Sequence, residues 1–278
     1  MKKILLGCLV ISIHFLYGCA PAPTALPTSI IDPTPLPAQA GTAIPVTPLE
    51  SASAPGSPSS APTQEIISSR EVTFETPDGA SLKGDLYGSG KTAVIFSMMG
   101  DCDPGWTELA QLTAAQGLMA LTYPWRDCGP AGPISEAKLV SNFVNDARGA
   151  IDFVRGQGAE NVILAGASLG GIASAKLAAE SNASGLIVFA SPPKIPNHDF
   201  VIEASDLDVD IPKLFITADQ DLVVPAGETR KMYEMAAAPR EWQTYPGAAH
   251  GTDLFETESG QQARDRILAF ILAIAKAP

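Results

Sequence analysis

The sequence predicts an α/β fold with a mostly parallel central β-sheet covered by helices on both faces. From residue 70 onward, short apolar runs alternate with longer amphipathic stretches, which is the order of elements in a doubly covered parallel sheet. One apolar run, residues 161–165, leads directly into the pattern Gly-x-Ser-x-Gly at residues 166–170. This pattern is typical of a sharp turn between a strand and a helix.

The first predicted elements form an antiparallel hairpin of residues 71–75 and 81–87. Pro77, Asp78 and Gly79 separate the two strands and favour a turn. Parallel strands are predicted after the hairpin, at residues 92–97, 118–123, 162–165, 186–190, 213–217 and 242–245.

The helices are predicted from apolar side chains that recur at intervals of three and four residues, most clearly in residues 137–155. The other predicted helices are residues 106–116, 169–180, 226–236 and 261–276. Roughly 20 residues separate the predicted strand that ends at 190 from the one that begins at 213, which leaves no room for a large lid domain.

Residues 1–19 are predicted to be a bacterial lipoprotein signal peptide. Lys2 and Lys3 precede an apolar stretch from Ile4 to Tyr17, which Gly18 and Cys19 follow, an order that is typical of such signals. The alternative, an uncleaved membrane helix, needs ~20 apolar residues, and this stretch has about 14. Cys19 is therefore the expected lipidation site, and the mature protein is expected to be extracytoplasmic and lipid-anchored in the bacterial cell envelope.

Residues 20–69 are predicted to be a disordered tether. They hold 11 of the 24 prolines, and alanine, threonine and serine fill most of the remaining positions, a composition that favours an unfolded linker. Residues 70–278 then form the folded domain, which is long enough to bury one substantial core.

The formal net charge of −12 at pH 7 argues against nucleic acid as a partner. Loss of Lys2 and Lys3 with the signal peptide would make it −14. An acidic domain is not attracted to anionic lipid, so we expect membrane contact only through the N-terminal lipid. We also expect a monomer that needs no cofactor.

Ser168, at the centre of the predicted turn, is the candidate nucleophile. A serine hydroxyl needs a histidine to take its proton and a carboxylate to orient that histidine. His250 lies in a glycine-bounded loop after the last predicted strand, at the edge of a parallel sheet where ligand sites gather, whereas His198 precedes every candidate acid. Enzymes with this turn place the acid and then the histidine after the serine, which favours His250.

The acid is expected after the predicted strand at residues 213–217, where Asp219 and Asp221 are the candidates. Asp221 is favoured because it stands a few residues before Val224 and Pro225, as the acid commonly does in hydrolases with this turn. Asp219 is then expected to be a solvated turn residue.

Two backbone N–H groups are needed to stabilise the oxyanion of an acyl-transfer reaction. We expect one at Leu169, directly after the candidate nucleophile, and the other in the loop that follows Ser97. Met99 is the preferred donor there, and its neighbours Met98 and Gly100 remain open. In the alternative interpretation, the methionines only fill space at the end of the strand.

Two cysteines remain in the domain, Cys102 and Cys128, and both fall in loops after predicted strands. In an exported protein such a pair can form a disulfide, which is our prediction. Two separate buried thiols are the alternative, since sequence spacing says nothing about the distance between the Cα atoms. The sequence contains no Cys/His cluster, so no metal site is expected.

With these features the chain resembles the α/β-hydrolase superfamily, and more loosely its dienelactone-hydrolase-like and lipoprotein-anchored esterase branches. The resemblance spans nearly all of residues 70–276 and rests on the serine turn, Asp221 and His250, in that order. Trp106 adds to it, as do residues 125–129, which are similar to the family's Asp-x-Arg-Gly-x-Gly segment. It implies an α/β-hydrolase fold with a mostly parallel sheet, an N-terminal antiparallel hairpin and no large lid domain.

The resemblance also implies a serine hydrolase of the carboxylesterase type, acting on a small acyl substrate. Such an enzyme cleaves an acyl ester, or a related thioester or amide, through a Ser-His-Asp triad and an acyl-enzyme intermediate. Many relatives have His-Gly in the oxyanion loop, where this chain has Met-Met-Gly at residues 98–100. This departure motivates one alternative, a catalytically inactive binding lipoprotein with the same fold. The other alternative is an acyltransferase that uses the same triad.

Overall fold

The structure is a computed structural model that describes residues 67–100, 105–126, 128, 139–195 and 201–277. The predicted signal peptide with Cys19, the predicted tether up to residue 66, Cys102 and His198 lie outside these ranges.

Within the described ranges the chain alternates between strands and helices in the predicted order. The strands are β1 Ser69–Glu75, β2 Ser81–Tyr87, β3 Thr92–Ser97, β4 Met119–Tyr123, β5 Asn161–Ala167, β6 Gly185–Phe189, β7 Lys213–Ala218 and β8 Arg240–Tyr245. The α-helices are α1 Thr107–Ala115, α2 Leu139–Gly156, α3 Leu169–Leu177, α4 Ala204–Leu207, α5 Ala226–Met235 and α6 Gly260–Ala275, and a 3-10 helix spans Gly251–Glu256.

All of these strands belong to one sheet, in the order β1-β2-β4-β3-β5-β6-β7-β8. β1 and β2 form the expected antiparallel hairpin, and β2 is also antiparallel to β4. The neighbours from β4 through β8 are parallel. The predicted fold class is therefore confirmed, including the absence of a large insertion between β6 and β7.

Two apolar layers cover the two faces of the sheet. In β3, Ala93 and Ile95 pack into the layer that includes side chains of α2, α3 and α5. Val94 and Phe96 pack into the opposite layer, with side chains of α1 and α6. Because both faces are covered, every residue of β3 is buried, and the strand reads in the sequence as a continuous apolar run.

The predicted element boundaries differ from the observed ones by up to three residues, and two elements were missed. α4 has only four residues, too few to show helical periodicity, and it begins with a capping box in which Glu203 and Asp206 bond each other's backbone N–H groups. The 3-10 helix follows His250 directly. Its tighter winding does not produce the spacing that identifies an α-helix.

The sheet topology brings the candidate site residues to one edge. The carboxyl ends of parallel strands lie at the same edge of a sheet, and the loops after β3, β5, β7 and β8 carry Met99, Ser168, Asp221 and His250. Among the described residues, no helix has the length and apolar character needed to cross a membrane.

Candidate active site

Ser168 occupies a strained turn between β5 and α3. Its φ of 52° and ψ of −117° lie in a region that side-chain-bearing residues rarely adopt, and such strain costs about 1–3 kcal/mol. The turn is held because the Ser168 N–H donates to the Phe189 carbonyl at 2.8 Å. This hydrogen bond ties the serine to the end of β6.

The small residues around Ser168 are required by close backbone contacts. A Cβ added to Gly166 would lie 2.1 Å from the Gly170 carbonyl oxygen, and one added to Gly170 would lie 2.3 Å from the Ser97 carbonyl oxygen. A side chain at either position would therefore force the turn apart. The Gly-x-Ser-x-Gly pattern is explained here by steric contacts within this fold.

Asp221 and His250 are in direct contact. Asp221 Oδ2 lies 2.9 Å from His250 Nδ1, and the Asp221 side chain is fully buried while that of His250 is 11% exposed. The other carboxylate oxygen, Oδ1, accepts the backbone N–H groups of Val223 and Val224 at 2.8 and 2.9 Å. The carboxylate is thus fixed by its own turn and can orient the imidazole ring.

Asp219 lies at the surface, as expected, but it contacts the histidine loop. Its Oδ1 accepts the Gly247 N–H at 3.0 Å, and its own N–H donates to the Tyr245 carbonyl at 2.8 Å. Gly247 has a φ of +119°, which a residue with a side chain rarely adopts. Asp219 therefore stabilises the loop that carries His250, a positioning role that the sequence did not indicate.

Ser168 and His250 lie on neighbouring segments, although no hydrogen bond joins their side chains among the described residues. Gly251, which follows His250, packs against the residue that precedes Ser168: a Cβ added to Gly251 would lie 3.4 Å from the Ala167 Cβ. The same added atom would lie 2.4 Å from the Met99 Sδ. In enzymes without bound substrate, catalytic hydrogen bonds are often long and tighten when substrate binds.

Two tryptophans hold the loop after β3. Trp106 Nε1 donates to the Ser97 carbonyl at 3.0 Å, and Trp125 Nε1 donates to the Met99 carbonyl at 2.9 Å. Both indole side chains are buried, at 0% and 1% exposure. The family resemblance includes Trp106 but indicates no contact for it, and the sequence does not predict the contact of Trp125 with Met99.

The two expected oxyanion donors are backbone N–H groups that no described residue satisfies. Neither the Met99 N–H nor the Leu169 N–H has a hydrogen-bond partner within the described part of the chain. Leu169 begins α3, so its N–H belongs to the positive end of a helix dipole. An anion at this edge of the sheet would meet unsatisfied donors.

A cluster of ion pairs stabilises the loop that carries Trp125. Arg126 Nε donates to Asp146 Oδ1 at 2.6 Å, its backbone N–H donates to Asp146 Oδ2 at 2.9 Å, and its Nη1 donates to Asp78 Oδ2 at 2.7 Å. The hydrogen bond from Arg126 lowers the pKa of Asp78 well below its ordinary value, whereas burial raises the pKa of Asp146. The cluster joins the β1–β2 turn, the loop after β4 and α2.

Sequence reasoning missed this cluster, although Arg126 lies in the segment that resembles the family's arginine motif. Asp146 is 20 residues away from Arg126 along the chain, and no local pattern pairs them. No group of three or more histidine, cysteine or acidic side chains that could hold a metal ion is found among the described residues.

Comparison with known proteins gives structural but not sequence relatives. No protein-family model matches the chain, and no curated protein is detectably similar to it in sequence. A lidless α/β serine hydrolase from Xanthomonas campestris has a TM-score of 0.59 at 18% identity, over 76% of this chain and 97% of its own. A serine hydrolase homologue from Coxiella burnetii has a TM-score of 0.57 at 20% identity, over 74% of this chain and 98% of its own.

The esterase domain of a Rhodothermus marinus protein is a third structural neighbour, with a TM-score of 0.53 at 17% identity over 72% of this chain and 99% of that domain. All three likenesses cover almost the entire length of the neighbour, so they concern a whole domain rather than a shared motif. At these identities the likeness is one of architecture, and the protein accordingly has the α/β-hydrolase fold.

Proposed function

We propose that the protein is a serine hydrolase that cleaves an acyl ester, or a related thioester or amide, through Ser168, His250 and Asp221. The observation that carries the proposal is the 2.9 Å contact between Asp221 Oδ2 and His250 Nδ1, on the same sheet edge as a serine in a strained turn. The serine hydrolases and esterases among the structural neighbours add support.

The proposed reaction uses each of the three side chains in one role. Ser168 Oγ attacks the acyl carbonyl carbon while His250 Nε2 takes the hydroxyl proton, and Asp221 orients the resulting imidazolium. His250 then returns the proton to the leaving oxygen as the carbon–oxygen bond of the ester breaks. Water attacks the acyl-enzyme with His250 again as base, which releases the acid and restores the serine.

The oxyanion of each tetrahedral intermediate would be stabilised by the N–H groups of Leu169 and Met99. Both are unpartnered within the described residues, and backbone donors fixed in advance stabilise charge that develops only in the transition state. The hydrogen bond from Trp125 holds the Met99 carbonyl, which belongs to the next peptide unit, and so restrains the backbone on the C-terminal side of the Met99 N–H. Within this proposal Met99 has a role beyond filling space.

Labelling with a fluorophosphonate probe tests the proposal, because the probe reacts with an activated serine. We expect the wild-type protein to be labelled and Ser168→Ala to remain unlabelled. Ser174→Ala is the matched control, since Ser174 is a buried serine of α3 outside the proposed site, and it should keep the label.

A correctly folded wild-type protein that takes no label would contradict the proposal and favour the inactive binding protein. Hydrolysis of short p-nitrophenyl esters that depends on Ser168 would reject the inactive interpretation. Product analysis with competing alcohols distinguishes hydrolysis from acyl transfer, because a transferase yields a new ester in place of the free acid.

We also propose that the protein is a lipoprotein with Cys19 as its lipid site and with a disulfide between Cys102 and Cys128. β3 and β4 are parallel neighbours, and the hydrogen bond from Trp125 to Met99 joins the loops that follow them. Both features support the proposal for the loops that carry the cysteines, and Cys102 itself lies outside the described residues. The pairing stays a prediction.

A further inference from the structure

A small cavity lies between the loops that follow β6 and β7. It has a volume of about 350 Å³ and is lined by Pro192, Lys194, Val223, Val224, Pro225 and Glu228. Both loops leave the sheet at the edge that carries the candidate site. Cavities of about 300–1,000 Å³ are typical of small-molecule sites.

One wall of the cavity begins beside the candidate nucleophile, and the other begins beside the candidate acid. The Ser168 N–H bonds the Phe189 carbonyl, and the chain reaches Pro192 three residues later. Val223 follows Asp221 by two residues and donates its N–H to the Asp221 carboxylate. A molecule bound to Ser168 could therefore extend into this cavity.

The apolar side chains that are most exposed gather around the same cavity. Among the described residues, the exposed large hydrophobic side chains are Val201 at 41%, Leu222 at 82% and Val223 at 67%. Val223 lines the cavity and Leu222 precedes it, while Val201 pairs with Lys194 in an isolated antiparallel bridge. Exposed apolar side chains that cluster at one place indicate a binding surface.

The turn that displays Leu222 and Val223 is rigid. Asp221 Oδ1 accepts the N–H groups of both Val223 and Val224, so the backbone cannot turn these side chains inward without breaking a buried hydrogen bond. A preformed apolar surface binds a ligand at a lower entropic cost than a flexible one.

The cavity is also lined by a cation, Lys194, that no described side chain neutralises. Lys194 and Lys276 are the basic side chains without a hydrogen-bond or ion-pair partner in the described part of the chain, and Lys276 belongs to the far end of α6. Among the described residues that line the cavity, Glu228 is the carboxylate, and it is already paired with Lys231 at 2.6 Å. In an otherwise acidic protein, Lys194 therefore favours an anionic ligand group at this position.

We propose that this cavity binds one arm of the ester substrate, an arm that is apolar along its length and anionic at its end. The apolar part packs on Val223 and Pro225, and the anionic end contacts the Lys194 ammonium. This inference rests on the proposed hydrolase function and adds a substrate class to it. Either the acyl side or the alcohol side of the ester could supply such an arm, and the experiment separates the two.

The test compares pairs of esters that differ only in a terminal carboxylate. A pH-stat measures turnover from the acid that is released. Methyl hexanoate and monomethyl adipate probe the acyl arm, and hexyl acetate and acetoxyhexanoate probe the alcohol arm. Within one of the two pairs, we expect Lys194→Met to lower the kcat/KM of the anionic ester relative to the neutral one by about threefold to fivefold, the size of an exposed charge pair. Lys276→Met is the matched control and should leave the ratio unchanged.

A second variant tests the apolar contact. Val223→Ser keeps the backbone N–H that bonds Asp221, and it should lower the kcat/KM of the longer neutral ester relative to methyl acetate by about fivefold, because part of an apolar contact is lost. The cavity proposal is overturned if neither Lys194→Met nor Val223→Ser changes its ratio of kcat/KM values while Ser168-dependent hydrolysis of methyl acetate is intact. That result would leave the proposed function standing.

The cavity can also be tested without turnover. In the Ser168→Ala protein, saturation-transfer NMR measures the binding of monomethyl adipate or acetoxyhexanoate directly. Binding that Lys194→Met weakens and Lys276→Met does not weaken supports the proposal even if no ester is hydrolysed. Equal signals in the two lysine variants would overturn it. Absence of both turnover and probe labelling, in contrast, counts against the hydrolase function itself.

Discussion

At Asp221 one carboxylate fixes a turn and orients a ring at the same time. Its two oxygens divide these tasks, because Oδ1 accepts two backbone N–H groups and Oδ2 contacts His250. Asp219, two residues earlier, accepts the N–H of Gly247. The two aspartates that the sequence offered as alternatives thus both support the histidine loop, from different positions.

Asp221→Asn tests this division. The amide retains an acceptor for the backbone turn but presents an N–H or a neutral oxygen to His250, so the imidazole loses its orienting charge. We expect kcat to fall by about 10³- to 10⁴-fold with little change in the melting temperature. Steady-state kinetics with a p-nitrophenyl ester, together with thermal unfolding, provide the two measurements.

The control is Asp219→Asn, which retains an acceptor for the Gly247 N–H. It should lower kcat/KM by less than about threefold, since a neutral acceptor can replace a charged one at the surface. Comparable losses of activity in the two variants would show that Asp221 acts only as part of the turn.

Residue-level prediction from sequence succeeded where the signal was local. The turn around Ser168 has small residues on both sides and is recognised from five consecutive positions, although only the contact of Gly166 with Gly170 is local, and Gly170 packs against the distant Ser97 carbonyl. The contact of Trp125 with Met99 spans 26 positions. Such a contact depends on which strands become neighbours, and no short pattern in a single sequence encodes it.

At the scale of elements, the Arg126 cluster connects the β1–β2 turn and the loop after β4 to α2 through side chains. The Asp146 side chain is fully buried and that of Arg126 is 16% exposed, so the carboxylate depends on the guanidinium for its charge balance. Removing one partner of a buried pair leaves an uncompensated charge, which is far more costly than losing a surface pair.

We therefore expect Arg126→Ala to lower the free energy of unfolding by about 3–5 kcal/mol. Arg148→Ala is the matched control, because Arg148 pairs with Glu180 while half of that glutamate side chain is exposed. It should cost at most about 1 kcal/mol. Urea unfolding with linear extrapolation measures both values.

Asp146→Asn in the Arg126→Ala background completes the comparison. A neutral amide at this buried position removes the unpaired charge, so the double variant should regain part of the lost stability. Equal shifts of the urea midpoint in the two arginine variants would contradict the prediction. The cluster would then stabilise the folded protein no more than a surface ion pair does.

The sequence predicted elements best where their pattern was long and repetitive. α6 and α2 were found within two residues of their observed ends, because an apolar face extends over several turns. α4 was missed because it has four residues and is specified by its capping box. The 3-10 helix after His250 was missed for a related reason, since no periodic apolar face distinguishes it.

On the scale of the whole molecule, the order of strands explains why residues far apart in sequence serve one site. Met99, Ser168, Asp221 and His250 span about half of the chain, yet they follow strands whose carboxyl ends share an edge. The alternation of strands and helices can be predicted from the sequence, and it predicts that these four residues lie at one edge of the sheet. The distances between them cannot be predicted from the sequence.

The four cysteines provide a test of the whole chain in its mature form. In protein purified from membranes and digested without reduction, mass spectrometry should find Cys8 removed with the signal peptide and Cys19 as a lipid-modified N-terminus. The peptides of Cys102 and Cys128 should be linked and should separate on reduction. An unmodified Cys19 would contradict the lipid anchor, and two alkylated thiols at the domain cysteines would contradict the disulfide.

The two buried indoles that hold the loop after β3 have an optical consequence. The chain has three tryptophans, and two of them donate to carbonyls at this place, Trp106 to Ser97 at the end of β3 and Trp125 to Met99 in the loop. The third, Trp242, lies on β8 near Tyr233. Two of the three fluorophores therefore report on the loop. A displacement of the Met99 carbonyl when the site fills changes the surroundings of Trp125 and with them its emission.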